Sequence, residues 1–209
     1  MKIAIIGSGN VGKAFASSMV RAGHSVTMSG SDVASPRTAA AETGARASAT
    51  NLEAVEGADV VVIAVWYGVV DGVLAELGDA LAGKVVIDVT NPVKPDLSGL
   101  LFEGTSAGEK IQALIPNVPV VKAFNTVFAA RQADPFVDGV ALDALIAGND
   151  AAAKATVSEL AVSLGFRSID VGSIEMSRGL EWFALINMLV QVRTGGSWQG
   201  GWKLLEPAA

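Results

Sequence analysis

The sequence has no cysteine and a single histidine. Disulfides, thiolate nucleophiles and histidine-rich metal centres are therefore excluded. Charge is scarce too: 17% of residues are charged, the formal net charge is -6, and no basic run interrupts the acidic balance. Nucleic acid and anionic membrane surfaces are poor partners for such a chain. The longest strongly apolar stretch, VVVIAVWYGVV, is too short to span a bilayer. The opening MKIAIIGSGN has one lysine and too few apolar residues before its first glycine for a signal peptide. A soluble cytoplasmic protein is the expectation. What the chain does have is apolar substance: 51% of its 209 residues are hydrophobic. That suffices for one α/β domain with a small appendage and argues against disorder.

Short β-branched runs alternate with helix-length segments. Strands are predicted at 2–6, 25–28, 59–65, 84–89, 119–123, 142–147 and 167–171. Several are continuously apolar, as strands covered on both faces must be. The first helix is predicted from Asn10 to about Ala22, with Val11, Ala14, Phe15, Ser18, Met19 and Ala22 on one stripe and Gly23 ending it. This alternation gives an α/β protein with a doubly wound, mostly parallel sheet. Residues 1–140 are expected to form the nucleotide-binding domain, and 141–209 a small C-terminal α/β extension. The extension ends in one long helix, SIEMSRGLEWFALINMLVQVR, with Ser173 as its N-cap. From Trp182 to Val190 that helix is apolar on almost every face, so it must be buried in the core or against a second subunit. A dimer interface is the reading taken here. Arg178 and Glu181, three residues apart, are expected to pair on its surface.

IAIIGSGNVGKAF places Gly7, Gly9 and Gly12 in the G-x-G-x-x-G spacing, with a strand before them and a periodic helix opening inside. Each glycine has its own task. Gly7 makes the tight turn, Gly9 lets a pyrophosphate approach the backbone, and Gly12 lets helix and strand pack closely. The turn from Gly7 through Ser8, Gly9, Asn10 and Val11 to Gly12 thus offers a pyrophosphate the positive end of a helix. Such a turn defines a Rossmann-type fold.

The stretch after the second strand, SGSDVASPR, should separate NAD from NADP. Asp32 lies at the distance expected of a carboxylate that binds the ribose hydroxyls of NAD, though aspartate also serves simple turns. Ser35 reads as an N-cap, with Pro36 at the first helical position and Arg37 in the first turn. An arginine there opposes the helix dipole, a cost that a bound anion such as the NADP ribose phosphate would offset. Ser29 and Ser31 would add hydroxyl donors. NADP is preferred, with NAD as the alternative.

The segments IAIIGSGNVGKAFASSMVRAGHSV, VVVIAVWYGVVDGVL, KVVIDVTNPV, VVKAFNTVFAAR, DVGSIEMSRGLEWFA and GGSWQGGWKLL run in order over nearly the whole chain. Together they resemble the NADPH-dependent reductases of the deazaflavin coenzyme F-420. The resemblance implies a homodimer that moves a hydride between NADP and the deazaflavin. It also implies that Ser8 lines the pyrophosphate, and that Ala64, Val65 and Trp66 lie along the cofactor. Asn91, Pro92 and Asn125 would border the cleft between nicotinamide and deazaflavin. One departure stands out. Where the family usually carries serine–arginine as its phosphate clamp, this chain has Gly30 and Ser31. Either Arg37 replaces the missing arginine or the preference has relaxed towards NADH.

No catalytic triad can be assembled. Asp88 and Lys122 lie on apolar strands, but nothing in their spacing ties them to one centre, and Lys122 reads as a structural or surface lysine. Hydride transfer tolerates this, because the cofactors carry the chemistry and the protein aligns them. Trp66, Trp198 and Trp202 are candidates for stacking on a flat ring or for ordinary packing. Two rival functions remain: reduction of another acceptor (a flavin, a quinone or a ferric chelate) and a non-catalytic dinucleotide sensor.

Overall fold

The computed structural model describes residues 1–205. Its first half contains β1 (Lys2–Ile6), α1 (Asn10–Arg21), β2 (Ser25–Ser29), α2 (Ala34–Thr43), β3 (Arg46–Ala47), α3 (Asn51–Val55), β4 (Val60–Ile63) and α4 (Val70–Leu77). There follow β5 (Val85–Asp88), α5 (Ala107–Leu114), β6 (Val120–Ala123), α6 (Ala129–Ala133), β7 (Phe136–Val137) and β8 (Val140–Ala141). The chain closes with β9 (Asp143–Gly148), α7 (Ala151–Ser163), β10 (Arg167–Gly172) and α8 (Ser177–Thr194).

Eight strands make one sheet in the order β10-β9-β6-β5-β4-β1-β2-β3. From β1 to β6 every pairing is parallel. This is the doubly wound sheet expected, and all seven predicted strands are present with small shifts at their ends. Beyond β6 the direction reverses: β9 pairs with it antiparallel, and β10 runs parallel to β9. A parallel return needs a crossover helix long enough to cover the sheet. Between β6 and β9 the chain has only the five-residue α6 and a small hairpin.

Side chains alternate between two layers. Ile3, Ile5, Val60, Val62, Ile87 and Val121 pack under Phe15 and Met19 of α1 and Val157 and Leu160 of α7. Their neighbours Ala4, Ile6, Val61, Ile63, Val86 and Val120 face Val55, Leu74, Leu77 and Ile111 of α3, α4 and α5. Burial on both faces is why these strands read as unbroken apolar runs. In α1 the buried stripe is Gly12, Phe15, Ala16, Ser18 and Met19, while Val11 is exposed. It is rotated from the expected stripe because the helix rests on the turn through Gly12.

Two elements were not anticipated. β3 is two exposed residues with no apolar signal. The β7–β8 hairpin turns on Asp138 and Gly139, both with positive φ (49° and 78°), as a two-residue hairpin turn demands. The last helix also differs from expectation. Ser173 leads into a short 3-10 turn, Ile174–Met176, and α8 proper begins at Ser177. α8 is not buried all round by its own chain. Leu180, Ala184 and Leu185 face inward, while Trp182, Phe183, Ile186 and Val190 are each more than 40% exposed. Among the described residues no helix is long and apolar enough to cross a membrane.

The segment after α8 is fastened at the start of β9. Asp143, 1% exposed, accepts from Arg167 Nε (2.7 Å) and from the Leu204 amide (2.6 Å), with Lys203 Nζ at 3.2 Å. Burial alone would push this carboxyl up, but these donors outweigh it and hold it below its ordinary range. The stabilisation is therefore present above pH ~4 and lost as pH falls through the carboxylate range. Asp143→Asn should cost about 1.5–3 kcal/mol, as expected for charge-assisted bonds, and make residues 195–204 sensitive to limited proteolysis. Urea unfolding at pH 7 and pH 3.5 would check both points, since the difference between wild type and variant should shrink at the lower pH.

Candidate functional site

The strand order reverses between β1 and β4, and ligands of such sheets bind outside the carboxyl ends of the strands at that switch point. The glycine turn lies there. Gly7 has φ of 121°, and a Cβ on it would come within 2.2 Å of the Ala64 carbonyl oxygen, in the loop after β4. A Cβ on Gly12 would stand 2.0 Å from the Gly7 carbonyl oxygen. Both positions therefore require glycine for the fold itself. Gly9 is different: its φ of -73° suits any residue, and a Cβ there would meet nothing within 4 Å. It caps α1, whose first residues Asn10 and Val11 are exposed. Ala64 and Val65 are half-buried against the turn, and Trp66 is 89% exposed beyond them.

At the end of β2, the Gly7 amide donates to the Ser29 carbonyl at 3.0 Å. Ser29 is fully buried and its hydroxyl donates to Asn51 Oδ1 at 2.7 Å, so the donor expected for a ribose phosphate is already engaged. A Cβ on Gly30 would stand 2.7 Å from Ser8 Oγ, so the absent side chain lets Ser8 lie across the loop. Ser31 is exposed. Asp32 accepts from the Ser35 amide (2.7 Å), the Ser35 hydroxyl (2.8 Å) and the Ala34 amide (2.8 Å). It thus caps α2, and these bonds, Ser35's first, hold its carboxyl below the ordinary range. The expected cap was Ser35 with Pro36 at the first helical position. Instead α2 opens at Ala34, two residues earlier, with Val33 at the N-cap position, because Asp32 captures the free amides of Ala34 and Ser35. Arg37 is still in the first turn, exposed, with no carboxylate partner among the described residues.

The ends of β5 and β6 bring together residues that sequence spacing left apart. Asn91 Nδ2 donates to the Asn125 carbonyl (2.8 Å), and Asn125 Nδ2 donates to Asn91 Oδ1 (2.9 Å) and to the Leu180 carbonyl of α8 (3.0 Å). Asn125 Oδ1 is buried and accepts nothing among the described residues. Pro92, buried, follows in the same loop.

The parallel register sets Asp88 beside Lys122, on the face that Val86 and Val120 share with α5. Lys122 is fully buried, with Asp88 Oδ2 at 2.8 Å and Glu181 Oε1 at 3.0 Å. Lys122 is therefore the hub of a buried ion cluster. Arg178 and Glu181 do not pair: Arg178 Nε donates to Glu109 Oε2 at 2.8 Å, while Glu181 points inward to Lys122. The signal for this cluster was three charged residues inside otherwise apolar elements. Tyr67, half-buried beside these groups, has its phenol pushed up to about 12, by burial first and then by the charges of Asp71, Asp88 and Glu181. It is a hydrogen-bond donor at any ordinary pH. Its ring meets Phe102 edge-on at 5.2 Å, and Lys110 Nζ stands 4.7 Å from the centre of the Phe102 ring.

Of the two C-terminal tryptophans, Trp198 packs edge-on to Phe128, in the loop after β6, at 5.3 Å. Trp202 lies on Phe183 at 4.9 Å, and its indole N–H is buried without an acceptor among the described residues. Both rings touch aromatic neighbours from their own chain.

A glycine turn at the switch point of a doubly wound sheet, with an aligned set of polar strand ends, defines a Rossmann-type dinucleotide-binding fold. Residues 2–92 match the family described as NADP oxidoreductase coenzyme F420-dependent. An F420-dependent NADP reductase of Methanothermobacter marburgensis is 32% identical over 212 residues, 92% of this chain and 94% of the relative. The chain belongs to this family. Metalloreductase STEAP3 of Rattus norvegicus is 36% identical over 182 residues, 86% of this chain, although that match spans only 36% of the rat protein. Among solved structures, a candidate F420-dependent NADP-reductase of Arthrobacter sp. FB24 superimposes with a TM-score of 0.87 at 30% identity, covering 99% of this chain and 100% of its own.

The three glycines should separate by experiment. Gly12→Ala drives a methyl into a backbone oxygen and should cost ~3 kcal/mol or more, at the upper end of single-residue effects. Gly9→Val should cost no more than ~1 kcal/mol, the penalty of a β-branched residue at the helix N-cap. Paired thermal melts would test this, and a large loss for Gly9→Val would show that the open space at Gly9 is needed by the fold.

Proposed function

We propose that the protein moves a hydride between NADP(H), held on the Gly7–Gly12 turn, and the deazaflavin coenzyme F-420. The observation that carries this reading is the turn itself: two glycines required by the backbone and one, Gly9, left open where a pyrophosphate would approach. Asn125 Oδ1 also fits the nucleotide, because it is a buried acceptor without a donor and a nicotinamide carboxamide brings one. The nucleotide supplies the hydride chemistry.

The chain's own residues bind and align. Backbone amides of Ser8 to Val11 at the start of α1 receive the pyrophosphate. Arg37, without a carboxylate partner among the described residues, takes the ribose phosphate in place of the arginine that Ser31 does not supply. Ala64, Val65 and Trp66 flank the nucleotide, and the Asn91–Asn125 pair with Pro92 fixes the ring end of the cleft. Tyr67 and Phe102 form an apolar wall for a flat acceptor, with Lys110 as a nearby cation for its acidic tail. The exposed stripe Trp182, Phe183, Ile186 and Val190 on α8 is the face of a homodimer, because an apolar patch of this kind marks an association surface. The same reading places the enzyme in the cytoplasm.

A second reading has a specific observation behind it. The similarity to rat STEAP3 extends over 86% of this chain, so the scaffold is also compatible with passing reducing equivalents towards a ferric acceptor. The test is oxidation of NADPH and NADH by the purified protein with the deazaflavin, a free flavin, a quinone or a ferric chelate supplied in turn. Preferred turnover with NADPH and deazaflavin is expected. Turnover only with another acceptor would overturn the deazaflavin assignment. Nucleotide binding without turnover on any acceptor would make the protein a sensor.

Arg37→Ala should weaken NADPH about tenfold or more and NADH less than about twofold, as loss of a single charge-assisted contact would. Titration of each nucleotide checks this, and equal effects would return Arg37 to the solvated surface. Ile186→Asp should convert a dimer to monomer in sedimentation, whereas a monomeric wild type would remove the interface.

A further inference from the structure

The buried cluster under the Asn91–Asn125 pair holds more charge than a fold needs. Lys122 Nζ reaches Asp88 (2.8 Å), Glu181 (3.0 Å) and the Thr90 carbonyl (2.6 Å). Asp88 Oδ1 in turn accepts from the Thr90 amide and hydroxyl at 2.8 and 2.7 Å. Glu181 Oε1 also receives the amides of Ala107 (2.9 Å) and Gly108 (3.3 Å) at the start of α5. Its Oε2 is buried and takes no donor among the described residues. With both carboxyls ionised, two carboxylates against one ammonium carry an excess of one negative charge where water does not reach.

A single buried pair would already be neutral, and each further buried ion costs several kcal/mol after relaxation. The excess charge sits where it has a use. Thr90 precedes Asn91, and the Leu180 carbonyl that receives Asn125 belongs to the residue before Glu181. The cluster is thus linked to Asn91 through its neighbour Thr90 and to Asn125 through Leu180, the neighbour of Glu181. Hydride transfer changes the charge at such a place: the C–H bond of the reduced nicotinamide breaks, both electrons leave with the hydrogen to the acceptor, and the ring is left positive. A fixed negative charge in a low-dielectric site stabilises that developing cation without having to reorganise.

We propose that the Asp88–Lys122–Glu181 cluster is an electrostatic device that favours the oxidised, cationic nicotinamide over the neutral reduced ring, and so drives hydride out of NADPH. The proposal rests on the reading that the cleft takes the nucleotide. Glu181 is the positioning residue that sets the excess charge. Lys122 faces it from β6, Asp88 from β5 and Tyr67 from the loop after β4, while the Glu109–Arg178 pair stands one turn away on α5 and α8. Burial pushes the Glu181 carboxyl up, ahead of the opposing effect of Lys122. Protonation as pH falls would cancel the excess charge and with it the preference.

The test is titration of NADP+ and NADPH separately onto wild type and Glu181→Gln, across pH. The amide keeps an acceptor for Lys122 and for the α5 amides while removing the charge. The expected result is a shift of about tenfold in the ratio of the two Kd values against NADP+ (about 1.4 kcal/mol). In wild type alone the ratio should move the same way as pH falls, and in the variant it should stay flat; the adenosine phosphate is common to both nucleotides and drops out of the ratio. Equal weakening of both nucleotides in the variant, with a pH-independent ratio in wild type, would make the cluster purely structural and overturn the proposal. If Glu181→Gln fails to fold, the wild-type pH series decides alone, and Glu181→Asp, which keeps the charge, should restore the ratio. Wild type that binds neither nucleotide would overturn the nucleotide reading and the proposal together, a result distinct from an unchanged ratio.

Discussion

An ammonium group sealed from water must be surrounded by acceptors, and Lys122 imposes that condition on four separate parts of the chain. Its own strand supplies the stem, β5 supplies Asp88, the following loop supplies the Thr90 carbonyl, and α8 supplies Glu181. Glu181 is itself held by the first amides of α5. Removing one partner would strand a buried charge at ~3–5 kcal/mol, far more than an exposed ion pair is worth. The C-terminal helix is therefore locked to the strand ends by electrostatics, while its apolar residues on the opposite side are left to the solvent.

That division of labour explains the shape of the cleft. Asn125 can tie Asn91 to Leu180 only because α8 is held at the right depth. On the other side of the switch point, van der Waals contact does the same work, with the Gly7 and Gly12 backbones pressed against Ala64 and against each other. One wall is set by charge and the other by the absence of side chains. The loop after β4, carrying Trp66 and Tyr67, runs between them, while Arg37 stands beyond β1, at the start of α2.

Much of this was legible in the order of residues. The strands β1, β4, β5 and β6 announce themselves because a sheet covered on both faces needs unbroken apolar runs, and the glycine turn is legible because its three roles are backbone roles. The antiparallel entry of β9 was not, since direction depends on what the intervening chain can span. The hairpin was missed although Asp138 and Gly139 carried its signal. Asp32 took the capping role expected of Ser35 because either side chain can cap a helix, and only the path of the backbone decides which arrives first. The Arg178–Glu181 expectation failed for a related reason. Helical spacing puts the two side chains near one another, but a buried lysine from a distant strand offers Glu181 a far stronger partner than an exposed arginine does.

The unequal demands on Gly7, Gly9 and Gly12 have a consequence for descent. Two of the three are held by the architecture and would persist in any lineage that keeps the fold, whatever it binds. On the proposed reading, Gly9 alone answers to the ligand. A descendant released from its nucleotide would be free to drift at that one position while its neighbours stayed constant. A dinucleotide turn of this geometry thus carries its own record of disuse, written in a single residue.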